Sequence, residues 1–108
     1  APLSLGQSPI PPYDRRATVA LAHGDDRRKN VYEALKRIER QIVPSLESKK
    51  YVVVKPNNVS TRNQLAATHA DALRGILDFL EPFGKPVVIA ESSAGNTHEG
   101  YENFLYTR

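Results

Sequence analysis

The 108-residue sequence contains no cysteine and no methionine. Without cysteine there are no disulfides, zinc–thiolate sites, iron–sulfur ligation or thiol nucleophile within these residues. No stretch approaches the roughly 18–20 consecutive apolar residues that a membrane-spanning helix requires, so no membrane span is expected. An excess of one charge is missing too: 15 Lys and Arg stand against 12 Asp and Glu, a net charge of +3. Nucleic-acid binding is normally announced by clustered Lys and Arg with interleaved aromatics. Here Arg27-Arg28-Lys29, Lys36-Arg37 and Lys49-Lys50 flank or lie on one predicted helix, with Glu33, Glu39 and Glu47 among them. That is the pattern of a solvated helix face laced with ion pairs, and nucleic acid is not an expected partner.

Several standard catalytic signatures are also absent. Gly95 and Gly100 have the separation of the phosphate loop G-x-x-x-x-G-K-[ST], but Tyr101 stands where its lysine belongs. There is no G-x-G-x-x-G, no His-Glu-x-x-His and no G-x-S-x-G nucleophile elbow. Nucleotide binding of the two common kinds, a single-helix zinc site and an α/β-hydrolase triad are therefore not expected.

What is present is an alternation of short apolar runs and helical stripes. Residues 1–16 hold four of the prolines, Pro2, Pro9, Pro11 and Pro12, and predict an extended arm. Ala17 to Ala22 reads as a buried strand ended by His23-Gly24-Asp25, with Asp25 as the cap of the next helix. Val31, Leu35, Ile38, Ile42 and Leu46 form one helical stripe, which Pro44 is expected to kink or end. Tyr51-Val52-Val53-Val54 has no polar alternation and predicts a strand buried on both faces. Thr68 with Asp71 fits a capping box for a helix presenting Leu73, Ile76, Leu77 and Leu80. Pro86 to Ala90 is a third strand, and Asn96 with Glu99 caps a last helix carrying Tyr101, Phe104 and Leu105.

The order strand, helix, strand, helix, strand, helix predicts an α/β fold. The expected form is three-layer and Rossmann-like, a mostly parallel sheet of three strands with crossover helices spanning residues 17–108. Three strands make a narrow sheet for such doubly buried residues, so the segment is expected to be the amino-terminal portion of a larger domain. That missing carboxyl-terminal portion, or another copy in a homo-oligomer, would then cover the sheet, and a complete stand-alone domain is the second choice. A start at Ala1 would suit a processed, exported or periplasmic protein, or an excised piece of a longer chain.

In an open parallel sheet, ligands bind beyond the carboxyl ends of the strands. All three predicted ends are polar. The candidate ligand-binding residues are Lys55, Asn57, Glu91, Ser92, Ser93, Gly95, Asn96 and Thr97. Lys55 would supply charge, Asn57 and Ser92 hydrogen bonds, and the amides near Gly95 an anion cradle. His23, Asp25, His69, Glu91 and His98 are the side chains of metal-ligating type on these loops. The expected function is binding of a small anionic or metal-bound ligand, with cofactor and reaction undefined. The alternative is a binding or assembly module that docks on a partner chain through its arm and an uncovered sheet.

Three segments in order, Val-Val-Val-Lys-Pro-Asn-Asn-Val, Ala-Thr-His-Ala-Asp-Ala-Leu-Arg and Val-Val-Ile-Ala-Glu-Ser-Ser-Ala-Gly-Asn-Thr, resemble the bacterial and archaeal family domain of unknown function 362. The matching residues are Lys55, Pro56, Asn57, Thr68, His69, Glu91, Ser92, Gly95 and Thr97, with Ala70 where the family commonly has proline. The resemblance covers about residues 17–106 and the amino-terminal part of a typical member. It implies little about chemistry: members are mostly uncharacterised, and some are fused to iron–sulfur modules or carry export signals. The cysteine-free chain holds no such cluster.

Overall fold

A computed structural model describes residues 16–92 and 96–104. The elements, in order, are α1 (Arg27–Arg37), α2 (Glu39–Glu47), β1 (Val52–Val54), α3 (Ala70–Leu80), β2 (Val87–Ile89) and α4 (Thr97–Asn103). Short 3₁₀ turns at Gln64–Ala66 and Glu81–Phe83 flank α3. No helix among the described residues is long and apolar enough to cross a membrane.

The expected three-stranded Rossmann-like sheet is not what forms. The described residues are 51% helical, and their sheet has two strands. β1 and β2 pair in parallel, with Val52 opposite Val87, Val53 opposite Val88 and Val54 opposite Ile89. Residues 17–22, expected to be a buried strand, join neither edge. Val19 is 85% exposed and Leu21 75%. Side chains hold this segment instead: the Arg37 guanidinium donates to the Leu21 carbonyl, and Gln41 Nε2 donates to Thr18 Oγ1 at 2.9 Å. An apolar run satisfies a strand pattern locally, but strand formation also needs a ladder partner, and here none is taken up.

Burial of β1 on both faces is likewise overturned. Val53 is 53% exposed and Val88 47%, while Val52, Val54, Val87 and Ile89 are half-buried. The sheet is therefore packed on one side and bare on the other.

The tightest packing lies between α1 and α3. Gly75 makes it possible: a Cβ there would stand 2.5 Å from the Arg28 carbonyl oxygen and 3.0 Å from Val31 Cβ. The same crossing carries a two-pronged ion pair, Arg28 Nε and Nη2 donating to Asp78 at 2.6 and 2.7 Å. Ala70, Leu73, Phe79, Leu80 and Phe104 form the buried core. Phe79 and Phe83 meet with ring centroids 5.6 Å apart. On α3, Leu77 faces outward more than the predicted stripe required, and Phe79 takes the buried position.

Three local expectations shift by a residue or a turn. Asp26, not Asp25, caps α1, its side chain accepting from Lys29 N at 3.0 Å. His69, not Thr68, caps α3 by accepting from Asp71 N at 3.0 Å. The predicted single helix divides at Ile38. There the Ile38 N–H reaches the Leu35 carbonyl at 3.2 Å, and Gln41 N reaches the Ile38 carbonyl at 3.0 Å, tight three-residue turns of the 3₁₀ kind. Pro44 sits inside α2 without ending it, on the exposed side.

Candidate functional site

Because β1 and β2 run the same way, their carboxyl ends lie at one edge of the sheet. The ladder's last bond, Ala90 N to the Val54 carbonyl at 3.1 Å, places the residues that follow each strand side by side. Pro56 lacks an amide hydrogen and ends β1; beyond Ala90 the second strand opens into Glu91 and Ser92. Lys55 Nζ forms an ion pair with Glu91 Oε2 across this edge. The lysine side chain is 71% exposed and the glutamate 16%. The carboxylate is thus the enclosed partner, and the ammonium faces solvent.

Glu91 is fixed from three directions. Its Oε1 accepts from Ser92 N at 2.9 Å. Its backbone N–H donates to Tyr101 Oη at 2.8 Å, and that hydroxyl donates to the Glu91 carbonyl at 2.9 Å. The hydrogen bond from Lys55, followed by that from Ser92 N–H, holds the Glu91 carboxyl below the usual carboxylate range, against partial desolvation. Glu91 is therefore an anion at neutral pH.

Asn57 occupies a turn rather than an open pocket. Its Oδ1 accepts from Val59 N at 3.2 Å, and Thr68 brackets its backbone: Asn57 N donates to Thr68 Oγ1 at 2.8 Å, and Thr68 N to the Asn57 carbonyl at 2.7 Å. Asn96 is the cap of α4, accepting from Glu99 N at 3.1 Å, so its side chain is committed to the helix. Thr97 opens α4. The side chain of Ser92 is exposed beside Glu91. Ser93 and Gly95 lie outside the described residues, as do Leu105 and residues 1–15 of the predicted arm.

Of the metal-ligating candidates, His69 spends Nδ1 on the α3 cap, and His98 Nε2 sits 3.2 Å from Glu102 within α4. His23 and Asp25 are exposed. Among the described residues, no group of three or more His, Asp or Glu is arranged to hold a metal ion. The basic clusters are partly paired, Arg28 with Asp78 and Lys36 with Glu39 at 2.7 Å. A cleft of about 230 Å³ lined by Tyr32, Lys36, Glu39, Phe79, Pro82 and Phe83 lies on a different part of the molecule from the strand ends.

Two residues shape the site without having been singled out for it. Tyr101, read as an apolar helix residue, clamps the Glu91 backbone. Asn58, read as part of the strand stop, is 1% exposed and packs against Gly100, where a Cβ would lie 3.1 Å from Asn58 Oδ1. Both its side-chain polar atoms lack hydrogen-bond partners among the described residues. The signal for Asn58 was its place next to Pro56-Asn57. For Tyr101 the sequence offered none, because a hydroxyl reaching back across ten residues leaves no local pattern.

No protein-family model, curated protein or solved structure matches the chain.

Proposed function

We propose that the carboxyl ends of β1 and β2 bind a small anionic ligand, with Lys55 as the recognising cation. The observation that carries this reading is the Lys55–Glu91 pair itself: the glutamate is enclosed and multiply bonded, and the lysine it restrains is largely open to solvent. A tethered ammonium loses less side-chain freedom on binding than a free one and keeps donors for a second partner. Ser92 adds an exposed hydroxyl on the same edge. Of the residues of the resemblance to domain of unknown function 362, Lys55, Pro56, Asn57, Glu91 and Ser92 follow these two strands, and kinship with that family is part of the proposal.

Glu91 opposes an incoming anion, so it sets a weak, exchangeable site rather than a tight one. The test is a melting-temperature titration with inorganic phosphate at constant ionic strength. The wild type is expected to shift upward with phosphate and Lys55→Ala to lose the shift. Glu91→Gln is expected to enlarge it, because a competing negative charge is removed. Equal shifts in all three proteins would refute the site.

A further inference from the structure

The cleft away from the strand ends is built by helices. Tyr32, Lys36 and Glu39 recur at spacings of four and three residues, so they share one face across the junction of α1 and α2. Phe79 of α3, with Pro82 and Phe83 of the 3₁₀ turn that follows it, completes a lining around about 230 Å³. The Phe79 ring is buried and meets that of Phe83 at 57°. Lys36 Nζ donates to Glu39 Oε2 at 2.7 Å, and both side chains are partly open to water.

An aromatic lining that carries one cation and one anion restricts what fits it. A cationic ligand is drawn to Glu39 and repelled by Lys36, and an anionic ligand meets the reverse. A zwitterion exchanges the single Lys36–Glu39 contact, worth little between hydrated groups, for two contacts with itself. Because Lys36 and Glu39 are neighbours, the charges of the ligand must be neighbours too, as the ammonium and carboxylate of an α-amino acid are. The rest of the lining, three aromatic rings and a proline, favours a flat ring through stacked and edge contacts. A cavity of about 150 Å³ already admits benzene, so there is room here for a ring and its short carbon arm. We propose that this cleft binds a free aromatic α-amino acid. Its ring would lie among Tyr32, Phe79 and Phe83, its ammonium on Glu39 and its carboxylate on Lys36. The cleft is separate from the anion site and does not depend on it.

The test follows amide chemical shifts of the full chain at low salt and about pH 6, where α-amino groups are protonated. Phenylalanine is expected to shift Tyr32, Lys36, Glu39 and Phe83 with a Kd on the order of 1 mM. N-acetylphenylalanine lacks the ammonium and phenylalanine amide lacks the carboxylate, and each should bind about fivefold more weakly. Leucine should also bind more weakly, and glycine should leave these residues unmoved. Glu39→Gln should bring N-acetylphenylalanine level with phenylalanine, and Lys36→Gln should do the same for the amide. Tyr32→Ala, at an exposed helical position, should weaken every ring-bearing ligand. The proposal is overturned if phenylalanine moves none of the four residues, or if either derivative or leucine matches it on the wild type. Shifts centred on residues 55–58 and 91–92 would also overturn it, by assigning the amino acid's carboxylate to the strand ends.

Discussion

Helix α3 and the β1–β2 sheet both carry many apolar residues, yet the first buries five of its eleven residues and the second leaves one face open. At the crossing with α1, Gly75 lets two backbones approach, and Phe79, one turn on along the same face of α3, is nearly withdrawn from water. In the sheet, every second valine faces solvent. A helix pair can bury its stripes on itself, since each stripe is the other's partner. A sheet has two faces, and a strand pair supplied with cover for one of them leaves the other bare. The contrast locates stability in the buried face of α3 rather than in the sheet.

Substitutions in the buried parts of α3 should break that contrast most visibly. Gly75→Val places side-chain atoms against the Arg28 carbonyl and is expected to cost about 3 kcal/mol, read by urea denaturation. Leu73→Ala, at a residue 3% exposed, is expected to cost a similar amount, about 3 kcal/mol, through lost burial and a cavity. Tyr101→Phe removes both bonds from the hydroxyl to the Glu91 backbone, and an expected loss of about 1 kcal/mol should be measurable in the same assay. At the sheet, Val53→Ser is expected to change stability by about 0.5 kcal/mol or less, because the side chain is already half in water. A Val53→Ser loss as large as that of Leu73→Ala would mean that the bare face is covered in solution.

Acid should act through the carboxylates that hydrogen bonds hold in their charged form. Glu91 is favoured as an anion by Lys55 and Ser92 N–H, and Asp78 by the hydrogen bond from Arg28. Their carboxyls ionise at lower pH in the folded chain than in the unfolded one. The stability they contribute is thus complete above the ordinary carboxylate range and fades as pH falls through their depressed values. Urea midpoints measured across that range should fall less steeply in Asp78→Asn than in the wild type. An unchanged acid slope would show that the Arg28–Asp78 pair contributes no coupling.

The parts of the fold that rest on local pattern were legible in the sequence. β1, β2, α3 and the Asn96 cap of α4 follow from β-branched runs, a helical stripe and a capping residue. That Lys55 and Glu91 share one edge followed from a single further step, that the two strands run parallel, but both were expected to face a ligand, and their ion pair was not foreseen. Residues 17–22 show where that logic stops: Val19 and Leu21 look like strand residues, but their fate depends on which edge accepts them. The cap at His69 instead of Thr68 has a different origin. Thr68 Oγ1 is taken by Asn57 N, a partner eleven residues away, and the neighbouring imidazole does the capping. The Tyr101 clamp on Glu91 is equally a product of tertiary placement.

The claim that the parallel strand ends form an anion site is tested most directly by amide chemical shifts during titration with inorganic phosphate. Saturable changes are expected to concentrate at Lys55, Asn57, Asn58, Glu91 and Ser92 and to disappear in Lys55→Ala. Changes centred instead on the Arg27-Arg28-Lys29 end of α1, with residues 55–58 and 91–92 unmoved, would contradict it.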